Sequence, residues 1–127
     1  MRAPPDRGGA RYARPMSVVV YEKRACTTCR KLSALLDERG IDAERVEYHV
    51  EGLTEPELRG LLKKAGITAR EALRIREEGA AELAAGASED EIVAAMVERP
   101  ELLQRPFVVN GDRAVLARPV ERALEVL

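Results

Sequence analysis

Phe107-Val108-Val109 and Ala114-Val115-Leu116 stand on either side of Asn110-Gly111, and this short stretch restricts the folds open to the chain more than any other. Asn-Gly between apolar runs is the strongest short-range signal for a two-stranded hairpin, because its tight turn needs residues at ease with positive φ. A hairpin alone buries too little to persist, so a further strand or helix must cover it. The chain supplies both earlier. Ser17-Val18-Val19-Val20-Tyr21 reads as a buried strand. Lys31-Leu32-Ser33-Ala34-Leu35-Leu36-Asp37-Glu38-Arg39 carries the helical apolar period and is stopped by Gly40. Arg45-Val46-Glu47-Tyr48-His49-Val50, β-branched and aromatic, reads as a second strand. A strand, a helix and a second strand in that order make a parallel pair.

Between this unit and the hairpin the chain reads as helical. Thr54-Glu55-Pro56-Glu57 opens a helix with Thr54 as N-cap, Pro56 in the first turn and Glu57 closing a capping box. Leu58, Leu61 and Leu62 give its apolar face, and Gly66 ends it. Thr68-Ala69-Arg70-Glu71 and Ser88-Glu89-Asp90-Glu91 repeat the box before Leu73 and before Ile92, Val93 and Met96. Glu77, Glu78, Glu82 and the acids of the second box read as solvated faces and caps. After the hairpin, Pro119 opens a last helix, with Val120, Ala123, Leu124 and Leu127 on one face. The order is β-α-β, a helical insert, then β-β-α. The fold class is α/β, and the architecture that joins these parts is a thioredoxin-like sandwich. Residues 17–127 form a single domain in this reading. Residues 1–16, with Arg2, Arg7, Arg11 and Arg14 among prolines and glycines, are expected to be a disordered tail or the product of an upstream start.

The only two cysteines, Cys26 and Cys29, fall between the first strand and its helix. A sulfur there faces the free amides and positive dipole end of the helix, which favour a thiolate. Cys-x-x-Cys beside a βαβ pattern reads as a redox motif. Zinc needs more ligands than two cysteines and one histidine, His49, supply, so no metal is expected. His49 reads as structural or exposed. A disulfide across so short a loop would constrain the unfolded chain little. Cys26, nearer the strand end, is the expected nucleophile and Cys29 the resolving thiol.

Composition excludes several classes. Net charge is −1 and there is no Trp, so neither a polyanion-attracting field nor a stacking platform for nucleic acid is implied. No stretch has the length or apolarity of a membrane span, and no signal peptide is apparent, so a cytoplasmic location is expected. Arg74, Arg105 and Arg118 are the further candidates, since arginine forks suit tetrahedral oxyanions. In a thioredoxin-like fold the loop before the third strand approaches the cysteines through a cis-proline. Pro106 is the candidate, and it would hold Arg105 near Cys26.

The segments Tyr21–Arg30, Ile67–Arg74, Leu102–Val109 and Leu116–Pro119 resemble the glutaredoxin-linked arsenate reductase family, of the ArsC and Spx type. The resemblance spans about residues 17–127. It rests most on Gln104-Arg105-Pro106 ahead of an apolar strand and on a second Arg-Pro, Arg118-Pro119, opening the last helix. It implies a nucleophile at Cys26 and an oxyanion cradle of Arg74, Arg105 and Arg118, with Arg70 the alternative to Arg74. Arg30 matches a basic residue after the family's catalytic loop, and Arg24 is a second group that would lower the Cys26 pKa. Three departures stand out. Glu22 replaces the family's histidine and Arg24 its proline, and Cys29 stands where the reductases usually have serine. The Cys-x-x-Cys form resembles the Spx-type branch, which generally lacks the Arg118-Pro119 pair.

The resemblance implies an arsenate reductase-like thiol oxidoreductase with no bound cofactor. Its substrate is a small oxyanion, and its electrons come from glutathione with glutaredoxin or from thioredoxin. Two alternatives stand beside it: a redox-sensing regulator of the Spx type that docks on RNA polymerase, and a general thiol-disulfide reductase. Neither gives a use to three arginines.

Overall fold

A computed structural model describes residues 18–127; the expected tail lies outside the described residues. Strand β1 (Val18–Glu22) leads into helix α1 (Thr27–Glu38), then β2 (Ala43–Glu47), a short helix α2 (Tyr48–Glu51) and helix α3 (Glu55–Ala65). Helices α4 (Ala80–Gly86) and α5 (Glu89–Glu98) follow. A 3-10 turn (Pro100–Leu102), strands β3 (Phe107–Asn110) and β4 (Arg113–Leu116), and a 3-10 helix (Val120–Glu125) complete the chain. The four strands form one sheet in the order β2-β1-β3-β4. β1 runs parallel to β2 and antiparallel to β3, and β3 pairs antiparallel with β4. This is the thioredoxin-like arrangement the element order implied.

Alternation along β1 assigns its residues to two cores. Val19 and Tyr21 face Val46, Tyr48, Leu58, Leu61, Ile92, Met96, Phe107 and Val109. Val18 and Val20 face Leu32, Leu36, Val108, Val115, Ala123 and Val126. Both faces of the sheet are covered, which is why β1 reads as a continuous apolar run and not as alternation with polar residues.

Several elements differ from the sequence reading, each for a local reason. α1 reaches back from Lys31 to Thr27, so Cys29 lies within its first turn and Cys26 is its N-cap. β2 stops at Glu47 because its parallel partner β1 ends at Glu22, the residue paired with Glu47. Tyr48, His49 and Val50 therefore turn into α2 instead of extending the strand. Thr68 and Glu71 do exchange capping bonds (Glu71 N–H to Thr68 Oγ1 at 3.0 Å, Thr68 N–H to Glu71 Oε1 at 2.9 Å). They close a turn and not a helix, because the backbone beyond is bonded elsewhere. Arg74 N–H donates to Leu102 O at 2.7 Å, Gln104 N–H donates to Ala72 O at 2.9 Å, and Leu73 bridges Leu103. Ser88 and Glu91 form the full reciprocal box at the start of α5.

The hairpin forms, but its tip is Gly111-Asp112, with Asn110 paired to Arg113. Gly111, at φ +67°, takes the first tip position, the glycine site of a II′-type turn. The last helix is 3-10 and not α. A period of three replaces 3.6, so Val120, Ala123 and Val126 turn inward, whereas Leu124 and Leu127 are exposed.

Candidate active site

Cys26 sits at φ −74°, ψ 131°, half-buried at the junction of β1 and α1. Its N–H donates to Lys23 O at 2.8 Å and its carbonyl accepts from Arg30 N–H at 3.0 Å, which fixes the sulfur against the first turn of the helix. Burial raises the Cys26 thiol pKa. The Cys29 amide, the Cys29 thiol, the Thr28 amide and the Arg105 guanidinium outweigh that and bring it down to about 7. Cys29 behaves oppositely. It is 1% exposed, and burial, opposed by the Lys23 amide and reinforced by Cys26 and Glu22, pushes its thiol up to about 12.

Arg105 is 4% exposed, and its Nε and Nη1 are buried with no hydrogen-bond partner. A buried guanidinium with unused donors is costly unless an anion meets it. The Arg105–Pro106 bond is cis, as is Arg118–Pro119. Tyr48, fully buried, donates its hydroxyl to Leu103 O at 2.6 Å, two residues before Arg105, and so ties α2 to the approach of β3. Burial holds the Tyr48 hydroxyl pKa well above its ordinary value, against the pull of Arg105.

Arg118 Nη1 donates to the carbonyl oxygen of Arg105 at 2.8 Å. Arg118 and Arg74 both line a cavity of about 450 Å³, together with Arg70, Arg76, Gln104 and Ile75. Arg74 does not lie on a helix. It follows the Leu73–Leu103 bridge, and its Nη1 meets Glu77 Oε1 at 3.1 Å. Glu77 also faces Arg99 at 3.7 Å, so it is a buttress for the cavity wall and not a solvated helix acid. Arg70, the alternative to Arg74, has its guanidinium on the carbonyls of Leu83, Ala84 and Ala87 at the end of α4. Arg24 and Arg30 are exposed. The groups that move Cys26 most are the first-turn amides, Cys29 and Arg105.

Glu22 is 2% exposed and bonded to Arg45, whose Nη1 lies 3.3 Å from its Oε1. His49 is in α2, with Nδ1 buried and without a partner. Tyr48 and Gln104 were not singled out from the sequence. Gln104 lay inside the Gln-Arg-Pro motif, and Tyr48 was masked by the strand-like composition around it. Among the described residues no group of three or more His, Cys, Asp or Glu is placed to hold a metal ion. No helix among them is long and apolar enough to cross a membrane.

A four-stranded sheet of this order, with Cys26 at the N-cap of α1 and the cis-proline Pro106 ahead of β3, defines a thioredoxin-like class. Within that class the chain belongs to the ArsC family, whose model matches residues 21–126. It is 37% identical to an arsenate reductase of Rhizobium meliloti (strain 1021) over 115 residues, covering 88% of this chain and 82% of the relative. Among solved structures, an arsenate reductase from Vibrio cholerae superposes with a TM-score of 0.82 at 37% identity, covering 88% of this chain and 98% of that one. A protein described as a putative arsenate reductase from Yersinia pestis gives 0.78 at 31% identity, covering 86% and 99%.

Proposed function

We propose that this protein reduces arsenate by thiol chemistry at Cys26. The observation that carries the reading is Arg105: a cation 4% exposed, with Nε and Nη1 unpartnered, acting on the sulfur that is drawn down to about 7. Cys26 Sγ bonds to arsenic as one oxygen leaves as water. Arg105 holds the remaining oxygens and the charge that gathers on them, and Arg118, whose Nη1 bonds to the Arg105 carbonyl, and Arg74, which lines the same cavity as Arg118, are the further cations of the cradle. A second thiol then attacks Cys26 Sγ. The S–As bond breaks, its electron pair stays on arsenic, and As(V) becomes As(III) while two sulfurs become a disulfide. In this reading Cys29, three residues beyond Cys26, is that second thiol. The Cys26–Cys29 disulfide is returned to thiols by glutathione with glutaredoxin or by thioredoxin, and no bound cofactor takes part.

An NADPH-coupled assay with arsenate, run separately with glutathione plus glutaredoxin and with thioredoxin plus its reductase, tests this. The wild type turns over with at least one donor. A charge-assisted contact is worth about 1.5–3 kcal/mol, so Arg105→Ala loses between roughly tenfold and 150-fold in kcat/KM for arsenate. Its Cys26 still reacts with a neutral disulfide. Equal loss of both reactions points to general disulfide exchange. No turnover with either donor sinks the reductase reading, and a polymerase pull-down that follows the Cys26–Cys29 state would then favour the regulator.

A further inference from the structure

Two charged side chains are buried among the described residues, Arg105 and Glu22. Arg105 acts on Cys26; Glu22 has no part in the chemistry described so far. It ends β1, directly before Lys23, whose backbone amide opposes the rise of the Cys29 thiol pKa. Arg45 holds it from β2, with Nη1 at 3.3 Å from Oε1 and 3.4 Å from Oε2. The other arm of Arg45 reaches α1, where Nη2 donates to Ser33 Oγ at 3.0 Å. Ser33 lies one helical turn beyond Cys29, on the same face of α1. Glu22 continues the Val18–Val20 face of β1, and Cys29 lies on the buried face of α1 with Leu32 and Leu36, so the carboxylate and the thiol face the same layer between β1 and α1.

We propose that Glu22 is the proton acceptor for the resolving thiol, taking the Sγ proton of Cys29 as that sulfur attacks Cys26. The proposal rests on the reading of Cys29 as the resolving thiol. In the step, the Cys29 Sγ–H proton passes to the carboxylate and a Cys29–Cys26 sulfur bond forms. The bond from Cys26 Sγ to its adduct breaks, and the adduct leaves with the electron pair. When the adduct is arsenic, that pair reduces As(V) to As(III), and the two cysteine sulfurs are the atoms oxidised.

The need for such a group follows from burial. Burial pushes the Cys29 thiol well above its ordinary range, so at pH 7 it holds its proton. At 1% exposure, bulk water has little access to remove its proton. A carboxylate offers about four lone-pair sites, and Arg45 uses two of them at the long end of hydrogen-bond range. The remaining charged groups nearby are otherwise engaged. Glu47, paired with Glu22 in the sheet, accepts Arg24 N–H at 2.9 Å. Lys23 Nζ faces Glu101 at 3.9 Å.

An aromatic disulfide that releases a coloured thiolate tests this without arsenate. In the first phase Cys26 takes up one half of the reagent and releases one equivalent. In the second, Cys29 displaces the bound half and releases another. Glu22→Gln slows the second phase relative to the first by about 100-fold at pH 7. The deficit narrows as pH rises toward 10.5, where Cys29 ionises increasingly without help. Glu22→Asp recovers part of the rate. An unchanged second phase in Glu22→Gln overturns the proposal, as does a slowing by one constant factor at every pH, which marks a purely structural role. Absence of any second phase in the wild type overturns both this proposal and the resolving role of Cys29. Loss of arsenate turnover with the second phase intact and Glu22-dependent leaves the proton acceptor standing and removes only the substrate.

Discussion

Three positions along the chain separate a thiol drawn down to about 7 from one pushed up to about 12. The division is made by where each sulfur lies on α1: Cys26 at the N-cap in front of the amides, Cys29 inside the first turn and shut from solvent. Only the thiolate is alkylated. Iodoacetamide at pH 7 therefore labels Cys26 and leaves Cys29 intact, and the labelling rate climbs through a midpoint near pH 7. Peptide mapping that finds Cys29 carrying the label contradicts this assignment. The arginines divide as well. Glu77 already balances Arg74, whereas among the described residues no carboxylate is paired with the buried Arg105. Arg74→Ala accordingly raises the arsenate KM by less than about fivefold, well short of the loss for Arg105→Ala, and steady-state kinetics on the two variants side by side gives the order. The Cys-x-x-Cys and Arg-Pro motifs were legible because they are local words in the sequence. The Glu22–Arg45–Ser33 and Arg74–Glu77 pairings were not, since partners for a charge are chosen by packing between elements.

At the scale of elements, the apolar residues after Pro119 fit an α-helical period, but the backbone takes a 3-10 one. Ala123 of the C-terminal 3-10 helix and Val126 at its C-cap are buried in the core under β1 and β4, and Leu124 is 40% exposed. Val126→Ala removes buried methyl groups and costs about 1–2 kcal/mol. Leu124→Ala changes stability by less than about 0.5 kcal/mol. An α-helical face through Leu124 and Leu127 requires the reverse order, so urea midpoints of the two variants decide between the geometries. The same limit explains Thr68-Ala69-Arg70-Glu71. Its capping bonds form as written, but whether a helix follows depended on the Leu102–Gln104 backbone, which competes for the amides of the next residues. By contrast, Ser88-Glu89-Asp90-Glu91 had no such competitor and opened α5 as read. The hairpin and the parallel pair were legible because Gly111 and the apolar runs state them within a few residues. The end of β2 was not, because it is set by where its neighbour β1 stops.

For the whole molecule, the two cysteines tie stability to pH in opposite directions. An ordinary thiol in the unfolded chain titrates near 9.0. Below pH 7 Cys26 is protonated in both states and contributes nothing. Between 7 and 9 the folded protein has released a proton that the unfolded chain still holds, so stability rises with pH; the gain is complete above 9 and is lost as pH falls back through 7. Cys29 is the reverse. Its contribution is fully present below 9, and it is lost as pH rises from 9 toward 12, where the unfolded chain ionises and the folded protein does not. Tyr48, held above its ordinary value by burial, adds to the decline at the alkaline end. The thiol pair therefore gives its largest support near pH 9. Solvent around the half-buried Cys26 damps its share to below about 1.5 kcal/mol. Urea midpoints of the fully reduced protein between pH 6.5 and 10.5, taken as differences from each single variant, resolve the two halves. Cys26→Ser flattens the rise between 7 and 9, and Cys29→Ser removes part of the fall above 9. A Cys26→Ser variant that keeps the full rise shows that the thiolate is not stabilised by the folded helix terminus and Arg105, and with that the electrostatic basis for its reactivity fails.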